Sequence, residues 1–493
     1  MQSDNRLTPA FATVPDLVRK NALVRPSHIA LLQDDARGVR QLDYAALDQL
    51  ADRIAAALQR EGVQPREIVA VCAGNSIEYV ATFIGVLRAG ASIAALPVSA
   101  TAESIEQMRA DSGARFYFTD HDLERLESWI VAPGTQPRTV DIQPNWPFNI
   151  IYSSGTTSTP KGIVHPHAMR WAHVRRAARL DYGAEAVTLL STPLYSNTTL
   201  VSLLPTVALG GTAILMAKFD TRRYLELAEK YRVTHTMLVP VQYKRLMEFA
   251  DFDRYELSSF RMKRSTSAPF PAALKAEVAR RWPGTLIDSY GLTEGGGACM
   301  LDVTAHPDKL HTVGVPAPGH EIRLIDDNGC EVAKGDAGEV VGHSDGIMTG
   351  YHNQPARTRE AEWYDATGKR FIRTGDVGRF DEDGFLVLVD RKKDMIISGG
   401  FNIYPSDLEA VVSQHPDVAE VSVVGIASSQ WGETPVGFVV LRNVVDPEEV
   451  LEWANRRLGK TQRLSAIHVV DALPRSAIGK VLKRELRERA LNR

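Results

Sequence analysis

Ile150-Ile151-Tyr152-Ser153-Ser154-Gly155-Thr156-Thr157-Ser158-Thr159-Pro160-Lys161-Gly162 carries a β-type apolar run into a loop of glycine and hydroxyl residues that ends in Lys-Gly. Small side chains let backbone N–H groups approach an anion, the hydroxyls donate further hydrogen bonds, and Lys161 supplies positive charge. A polyphosphate needs these groups, although the spacing is not that of GxxxxGK followed by Ser or Thr. The alternative is a Ser/Thr-rich surface turn, which rarely follows a buried strand. We predict nucleotide contacts from Ser153, Ser154, Gly155, Thr156, Thr157 and Lys161.

Around this loop, apolar strand candidates alternate with helical patterns. Residues 43–61 have the spacing of an amphipathic helix, with Asp43 as its cap and Gly62 at its end. Apolar runs of strand length occur at 68–72, 115–118, 187–190, 213–216, 236–239 and 285–288. This alternation predicts an α/β fold with mostly parallel sheet flanked by helices.

The sequence changes character after about residue 310, where short strands and Gly-Asp or Asn-Gly turns replace most helices up to Val389. The charged run Asp390-Arg391-Lys392-Lys393-Asp394 follows, and on its own it indicates only a solvated connection. Beyond it, alternating strands and helices predict a separate α+β domain. We therefore expect a large N-terminal domain with a β-rich subdomain, residues 1–390, and a small C-terminal domain, residues 391–493.

The composition argues against several classes of protein. At 493 residues the chain is too long for one compact core, and 44% hydrophobic with 24% charged residues is typical of a globular protein. A formal net charge of −3 argues against nucleic acid or an anionic membrane as the main partner. Cys72, Cys299 and Cys330 form no CxxC pair, and we recognise neither a signal peptide nor an apolar window of membrane-spanning length. We expect a reduced, cytoplasmic monomer or homodimer without a membrane span.

Further motifs follow the phosphate-loop candidate in an order that is typical of one family. They are Asp288-Ser289-Tyr290-Gly291-Leu292-Thr293-Glu294, Thr374-Gly375-Asp376, Asp390-Arg391-Lys392-Lys393-Asp394, Ser398-Gly399-Gly400 and Pro474-Arg475-Ser476-Ala477-Ile478-Gly479-Lys480. With these motifs the chain resembles, over nearly its whole length, the adenylate-forming superfamily of acyl-CoA synthetases, peptide-synthetase adenylation domains and beetle luciferases. The resemblance implies an acid:CoA ligase similar to 4-coumarate-CoA ligases. Such an enzyme forms an acyl-adenylate and pyrophosphate, and then acyl-CoA and AMP.

The resemblance also implies roles for individual residues at the nucleotide. The implied contacts are Asp288, Ser289, Tyr290 and Gly291 at adenine, Thr293 at the α-phosphate, and Asp376 and Arg391 at the ribose. Glu294 is a hard oxygen donor that suits Mg²⁺ carried by ATP, although a lone glutamate is more often a surface charge. Tyr290 offers an aromatic face to a purine, whereas a lone tyrosine at a strand end is usually packing.

Lys480 is the residue whose implied role bears most on the chemistry. Attack of a carboxylate on the α-phosphate joins two anions, and a lysine that bridges them neutralises the developing charge. Because Lys480 lies in a basic C-terminal stretch, a solvated helix face is the alternative. We expect Lys480, Thr293 and Glu294 to be catalytic.

By the same resemblance, the small C-terminal domain is a mobile lid that rotates about a hinge at Lys393. In the first half-reaction Lys480 faces the active site, and in the second the Gly399-Gly400 loop lines a channel for the incoming thiol. Glycine suits a narrow channel because it has no side chain. The expected cofactors are ATP, Mg²⁺ and coenzyme A, and the expected partner is a small carboxylic acid.

The acid is expected to bind among segments 195–200, 239–243, 267–269 and 295–298. We predict substrate contacts from Tyr195, Ser196, Asn197, Val239, Gly295 and Gly296, and nucleotide contacts from Ser267, Ala268 and Pro269. The glycines at 295–297 would leave a flat or deep slot, unless they only loosen a turn. These segments hold no Arg or Lys, with Lys263 and Arg264 at most at their edge. A second carboxylate would therefore lack a partner, and malonate-like diacids are not expected.

Other sequence features narrow the choice of acid substrate and of acyl acceptor. Ser158 and Ser196 stand where the family usually has glycine and an aromatic or histidine residue. No aspartate lies between Pro193 and Leu200, which argues against an amino acid, and the chain ends soon after Lys480, without a carrier domain. We expect an aryl or aryl-alkenoic acid or, second, a medium-chain acid, with free coenzyme A as acceptor. The alternatives are transfer to a carrier protein and a non-catalytic nucleotide-binding relative.

Overall fold

The structure, a computed structural model, describes residues 10–153, 160–392, 394–398, 401–459, 462–476 and 479–491. The chain divides into two compact units. The N-terminal unit comprises Met1–Glu321 and Gly342–Ile372, and the C-terminal unit comprises Ile322–Val341 and Arg373–Arg493. Part of the β-rich segment therefore clusters with the C-terminal residues. The mobile domain beginning at residue 391 remains a prediction.

The secondary structure follows in chain order. The helices are α1 (Val14–Val24), α2 (Tyr44–Arg60), α3 (Ile77–Arg88), α4 (Ala102–Ser112), α5 (Asp120–Glu124), α6 (Leu126–Trp129), α7 (His167–Ala177), α8 (Asn197–Ala208), α9 (Thr221–Lys230), α10 (Pro240–Met247), α11 (Ala272–Arg281), α12 (Pro355–Glu360), α13 (Pro405–Val412), α14 (Pro447–Asn455) and α15 (Lys483–Leu491). The strands are β1 (Ile29–Asp35), β2 (Gly38–Asp43), β3 (Ile68–Cys72), β4 (Ser92–Ala95), β5 (Phe116–Thr119), β6 (Pro147–Ser153), β7 (Lys161–Pro166), β8 (Val187–Leu190), β9 (Thr212–Leu215), β10 (His235–Leu238), β11 (Met262–Ser265), β12 (Thr285–Gly291), β13 (Ala298–Asp302), β14 (Val315–Pro316), β15 (Glu321–Ile325), β16 (Gly338–His343), β17 (Gly350–Tyr351), β18 (Glu362–Tyr364), β19 (Arg370–Phe380), β20 (Leu386–Arg391), β21 (Ile396–Ser398), β22 (Phe401–Ile403), β23 (Val418–Ser428), β24 (Gly432–Leu441) and β25 (Ala466–Val469).

Two mostly parallel sheets form the framework of the N-terminal unit. The first has the order β14-β13-β12-β11-β10-β8-β9-β1-β2, with parallel pairing from β12 through to β1. The second has the order β17-β7-β6-β4-β3-β5, with parallel pairing from β6 through to β5. The predicted apolar runs begin within one residue of β3, β5, β8, β9, β10 and β12. The predicted α/β class is confirmed.

Helix α2 shows how local sequence produces these elements. Asp43 Oδ1 accepts a hydrogen bond of 2.8 Å from Ala46 N, which caps the helix as predicted. Ile54 and Leu58 are fully buried on the face that packs against α3. A Cβ on Gly85 of α3 would lie 2.6 Å from Ile54 Cγ2, so the two helices approach each other closely at this glycine. Among the described residues, no helix has the length and apolar composition needed to cross a membrane.

The predicted phosphate loop connects two antiparallel strands. β6 and β7 pair as far as Ser153 opposite Lys161, and Ile150 and Ile151 of β6 are buried. Lys161 is therefore fixed by the ladder at the start of β7. The connecting residues, including the predicted contacts Ser154, Gly155, Thr156 and Thr157, lie outside the described residues.

The C-terminal unit contains the β19–β20 pair, in which Asp376 lies opposite Arg391. Its second sheet has the order β22-β21-β24-β23, and β25 is parallel to β24. Helices α13 and α14 bury Leu408 and Val450 against Val423 and Val439 of this sheet. This arrangement confirms a small α+β domain at the C terminus, preceded by β-rich structure.

Lys263 is a fully buried cation on β11. Its Nζ donates to the carbonyl oxygens of Trp282 (3.0 Å), Pro283 (2.6 Å) and Gly284 (2.5 Å). These carbonyls follow the last turn of α11 and have no helical donors of their own. Burial lowers the pKa of Lys263 to about 7. Lys263 therefore closes the end of α11.

Replacement of this cation tests its structural role. Lys263→Met is expected to lower the free energy of unfolding by about 3 kcal/mol, because three carbonyls lose a charged donor. Urea denaturation measures the change. Lys20→Met, at an exposed position of α1, is the control and should change stability by less than about 0.5 kcal/mol. Equal midpoints for the two variants would contradict the proposed role of Lys263.

Candidate active site

The predicted phosphate lysine and the predicted metal ligand form an ion pair. Lys161 Nζ lies 2.9 Å from Glu294 Oε1, and the Tyr351 hydroxyl donates to the same oxygen at 2.8 Å. The Lys161 ammonium also lies 4.2 Å from the centroid of the Tyr351 ring, a cation–π contact. Lys161 and Tyr351 belong to the paired strands β7 and β17, whereas Glu294 follows β12 of the other sheet. The two sheets therefore meet at this carboxylate.

The Glu294 carboxylate is ionised at neutral pH. Burial alone would raise its pKa, but the Lys161 ammonium and the Tyr351 hydroxyl outweigh burial and hold the pKa below its ordinary value. Mg²⁺ is usually bound by one or two carboxylates together with substrate phosphates. In the part of the chain that the structure describes, no group of three or more His, Cys, Asp or Glu residues is placed to hold a metal ion. Glu294 therefore fits Mg²⁺ that arrives with a nucleotide, not a metal held by protein alone.

The backbone of Thr293 is held by a buried histidine. Arg170 Nη2 donates to His165 Nδ1 at 2.7 Å, and His165 Nε2 lies 2.7 Å from the Thr293 carbonyl oxygen. Because arginine only donates, His165 carries its proton on Nε2 and donates it to Thr293. Burial, and next the charge of Arg170, lower the pKa of His165 well below its ordinary value, so the ring is neutral. No described residue bonds the Thr293 hydroxyl, which leaves it available to a phosphate.

The predicted adenine contacts lie on β12. They are Asp288, Ser289, Tyr290 and Gly291, at the end of the strand that pairs with β13. Asp288 Oδ2 lies 2.7 Å from the Nζ of buried Lys275, so this carboxylate is engaged within the protein. Tyr290 therefore presents a half-buried ring at the strand end, whereas one oxygen of Asp288 is already paired with Lys275.

The predicted ribose residues form a pair within the C-terminal unit. Arg391 Nε lies 2.9 Å from Asp376 Oδ1, across the β19–β20 ladder. The Thr374 hydroxyl donates to Val340 O at 2.8 Å and accepts from Asp376 N at 3.0 Å, which fixes the turn. An acceptor for two hydroxyls and an adjacent donor are thus preformed.

Lys480 is exposed at the end of a tight turn. Gly479 has φ +78°, and Ser476 N donates to Lys480 O at 2.8 Å. Arg475 ties this turn to β23, because it donates to Gly479 O and to Glu420 Oε2, both at 2.8 Å. The predicted hinge Lys393 and the predicted channel residues Gly399 and Gly400 lie outside the described residues.

Two predicted segments, 195–200 and 267–269, meet at the start of α8. Ser196 caps this helix through its side chain, and the hydroxyls of Thr198 and Ser267 lie 2.8 Å apart. Ser267 has φ +80° and is followed by half-buried Ala268 and exposed Pro269. The remaining substrate candidates are Tyr195, whose hydroxyl lies 3.2 Å from Ser99 Oγ, Asn197 at the first position of α8, and Val239 just before α10.

Gly295 and Gly296 do not leave an empty slot, which corrects one interpretation of the glycine run. Their φ angles are +75° and +83°. A Cβ on Gly295 would lie 2.0 Å from Gly346 O, and one on Gly296 would lie 2.6 Å from Gly342 O. The space of a side chain is therefore filled by neighbouring backbone. These glycines let the turn after Glu294 pack directly on residues 342–348.

Helix α7 contributes residues that lie outside the predicted acyl segments. Arg170 is 1% exposed and donates at 2.8 Å to Asn197 Oδ1, a predicted substrate contact. His173 and Arg176 follow at three-residue intervals, which places them on the same helical face. This spacing, directly after the phosphate-loop hairpin, is the sequence signal that points to α7. The four predicted acyl segments hold no Arg or Lys, but Arg170 of α7 contacts one of them through Asn197.

Comparison with known proteins gives concordant matches. Residues 18–352 match the AMP-binding enzyme family, and residues 407–480 match the AMP-binding enzyme C-terminal domain. A feruloyl-CoA synthase of Amycolatopsis sp is 31% identical over 488 residues, which cover 94% of this chain and 98% of that protein. The 4-coumarate-CoA ligase 1 of Narcissus pseudonarcissus is 30% identical over 491 residues, which cover 91% of this chain and 89% of that protein. The structure of o-succinylbenzoate CoA synthetase from Bacillus subtilis with its acyl-adenylate intermediate has a TM-score of 0.85 and 26% identity, covering 96% of this chain and 98% of that one.

The close backbone approach at Gly295 gives a test of the site's architecture. Gly295→Ala is expected to lower the free energy of unfolding by about 2 kcal/mol more than Gly319→Ala, because its Cβ collides with a carbonyl oxygen. Gly319 has φ +79° and open space around its Cβ position, so it reports the cost of the backbone conformation alone. Thermal and urea unfolding of both variants measure the difference. Equal losses of unfolding free energy in the two variants would show that the backbone at residue 346 moves aside at little cost.

Proposed function

The chain belongs to the AMP-binding enzyme family, and we propose that it is an ATP-dependent acid:CoA ligase for an aryl-alkenoic acid. It is an AMP-forming acid–thiol ligase. The proposed reaction forms an acyl-adenylate and pyrophosphate, and then acyl-CoA and AMP. A medium-chain acid is the second candidate substrate. The observation that carries the proposal is the pairing of Lys161 with Glu294 beside a Thr293 hydroxyl that bonds to no described residue.

The Lys161–Glu294 pair is suited to an exchange of partners. Without nucleotide, the ammonium and the carboxylate neutralise each other in a half-buried site. When the triphosphate binds, Lys161 would turn to its oxygens, and Glu294 would then be the residue that holds Mg²⁺. The metal ion, when bound, offsets negative charge on the phosphates. Tyr351 remains hydrogen-bonded to Glu294 and keeps the carboxylate oriented throughout.

The first half-reaction joins two anions. A carboxylate oxygen of the acid attacks the α-phosphorus, the bond to the bridging oxygen breaks, and pyrophosphate leaves with that oxygen. We assign Lys480 to bridge the carboxylate and the α-phosphate, which neutralises the charge that develops between them. The Thr293 hydroxyl donates to an α-phosphate oxygen, and His165 fixes the Thr293 backbone in that position. Asp376 and Arg391 hold the ribose.

In the second half-reaction a thiol attacks the acyl carbonyl carbon, and AMP leaves with the oxygen that had bridged them. We propose coenzyme A as the thiol and a rotation of the C-terminal domain about Lys393 between the two steps. The feruloyl-CoA synthase and the 4-coumarate-CoA ligase both carry coenzyme A in their names. Transfer to a carrier protein is accordingly not favoured. The same two names point to an aryl-alkenoic acid.

The proposal is tested by acid-dependent AMP release with coenzyme A across cinnamate-type, benzoate-type and C4 to C12 acids. Turnover confined to the cinnamate-type acids is expected. Lys480→Ala should lower ATP–pyrophosphate exchange by at least about 100-fold, because it removes charge stabilisation from the first step. It should change transfer from preformed acyl-adenylate to coenzyme A by less than about threefold. Arg489→Ala, at an exposed position of α15, is the charge-matched control.

Each failure has a separate meaning. If Lys480→Ala slowed both half-reactions equally, the proposal that Lys480 acts only in the first half-reaction would be contradicted. Exchange without any coenzyme A-dependent product would retain adenylation but reject coenzyme A as acceptor. Absence of exchange with every acid would reject the ligase itself.

A second experiment addresses the metal. Glu294→Gln keeps the hydrogen bond to Tyr351 but removes the charge that suits Mg²⁺. The Mg²⁺ concentration for half-maximal ATP–pyrophosphate exchange should rise at least about tenfold. Glu103→Gln, exposed on α4, is the control. A slower enzyme with an unchanged Mg²⁺ requirement would assign Glu294 a structural role instead.

A further inference from the structure

Four basic side chains, Arg170, His173, Arg176 and Arg264, form a cluster beside the predicted acyl segments, here called the basic cluster. The first three share one face of α7, and Arg264 lies on β11. Strand alternation places Arg264 on the opposite face of its sheet from Lys263, which points to α11. The other face is covered by α8, which packs on both β8 and α7. Arg264 therefore lies on the side of the sheet that carries α7.

Arg170 is a satisfied member of the basic cluster. Its Nε and Nη2 donate to Asn149 Oδ1 at 3.0 and 2.9 Å, and Nη2 also donates to His165 Nδ1. Its Nη1 donates to Asn197 Oδ1 at 2.8 Å and lies 3.4 Å from His173 Nδ1. All of these partners are neutral. The hydrogen bonds of Arg170 are thus complete, but its charge is not balanced.

Arg176 and Arg264 have no such partners. Among the described residues, neither guanidinium forms a hydrogen bond or an ion pair, and the Nε of Arg264 is buried without a partner. Burial lowers the pKa of Arg176 to about 10, and the charges of Arg175 and Arg264 act in the same direction, whereas Asp345 opposes them. Asp345 is 77% exposed and pairs with Arg175 instead. Two partly buried like charges therefore act on each other, and neither has a bonded acid among the described residues.

The position of this pair relates it to the acyl segments. Arg176 Nη2 lies 2.6 Å from the point that a Cβ on Gly346 would occupy, and Gly346 O accepts from Gly296 N at 3.0 Å. Arg170 lies at the other end of this face, joined through His165 to Thr293. Six residues of helix separate Arg176 from Arg170 by about 9 Å. Arg176 therefore lies beside the turn that holds Gly296, one helical segment away from the residue that is joined to the predicted α-phosphate contact.

The neighbours of the pair offer further donors. Burial and the nearby arginines hold the pKa of His173 well below its ordinary value, so its ring is neutral. With Nδ1 facing the donor Arg170, the His173 proton is on Nε2. Asn197 uses its oxygen for Arg170, so its amide N–H₂ is left to donate elsewhere. A site made of donors and positive charge selects an acceptor that carries negative charge.

We propose that the acid activated by this enzyme carries a second carboxylate, at its distal end, which binds between Arg176 and Arg264. His173 Nε2 and the Asn197 amide donate to the same group or to its ring. The substrate class is therefore an aryl-alkenoic or aryl acid with two carboxylates, of which only one reacts. This inference rests on the proposed ligase function and narrows its substrate.

The test compares acids that differ only at the distal position. The para-carboxylated, para-hydroxylated and para-methylated forms of cinnamate and of benzoate are used as probes in ATP–pyrophosphate exchange. The wild-type enzyme is expected to favour the para-carboxylated acid over the para-methylated one by at least about tenfold in kcat/KM. This order decides the question without any variant. A preference for the methylated or hydroxylated acid overturns the proposal.

Substitutions of Arg176 and Arg264 test whether these two residues cause the preference for the para-carboxylated acid. The double variant Arg176→Met with Arg264→Met should lose at least about 30-fold in kcat/KM for the para-carboxylated acid, because a buried carboxylate loses its partners. For the para-methylated acid, kcat/KM should be retained or raised, because the two charges that disfavour an apolar distal group are gone, and this activity also shows that the protein is folded. Arg179→Met, exposed three residues beyond Arg176, removes the same charge and should keep the wild-type order. Arg176→Lys should fall between the wild type and the double variant.

The outcomes separate this inference from the function on which it rests. If no acid supports exchange, the ligase function fails. If the para-methylated or para-hydroxylated acids support exchange and the para-carboxylated acids do not, the ligase stands and the second carboxylate is rejected. If the double variant keeps the preference for the para-carboxylated acid, Arg176 and Arg264 are not the binding residues and the proposal is overturned.

Discussion

The candidate site of the N-terminal unit depends on one buried, ionised carboxylate, that of Glu294. An isolated charge in such a position is costly, so the surrounding structure must supply partners for it. Lys161 and Tyr351 do so from the second sheet, and Met348 N donates at 2.9 Å to the carbonyl of the same residue. Because these bonds draw residues 346–348 onto the turn after β12, Gly295 has no room for a side chain. The bonds that stabilise the Glu294 carboxylate thus also determine how closely the backbone at residue 346 approaches Gly295.

Lys263, Arg170, Arg176 and Arg264 have no carboxylate partner among the described residues, and they lie in two kinds of environment. Lys263 and Arg170 are fully enclosed, and carbonyl, amide and imidazole groups accept their hydrogen bonds. These two residues organise structure, and Arg170 in addition links Asn197 to His165 and so to the predicted α-phosphate contact. Arg176 and Arg264 are partly buried but bond to no described residue. No described residue offsets the free-energy cost of burying these two charges, and an anionic ligand would offset it.

The parts predicted well from sequence are those encoded by short-range patterns. The Asp43 cap, the apolar face of α2 and the buried strands follow from the periodicity of side chains. The nucleotide motifs were recognisable because their residues are adjacent in the chain. The pairing of Lys161 with Glu294 spans 133 residues, and no local pattern encodes it. The sequence left two interpretations of the glycine run open for the same reason, since the backbone that approaches Gly295 comes from residue 346.

For the same reason, the sequence predicts the reaction better than it predicts the identity of the acid. The residues that we assign to the nucleotide lie in contiguous motifs, whereas the acyl end that we propose draws on α7, β11 and the segments at 295–298 and 346. The identity of the acid therefore has to be inferred from the charge balance of the folded chain. An acid with an apolar distal end would displace water from Arg176 and Arg264 and leave two like charges desolvated. A distal carboxylate removes that cost, so selection against the neutral acid and attraction of the charged acid have the same origin.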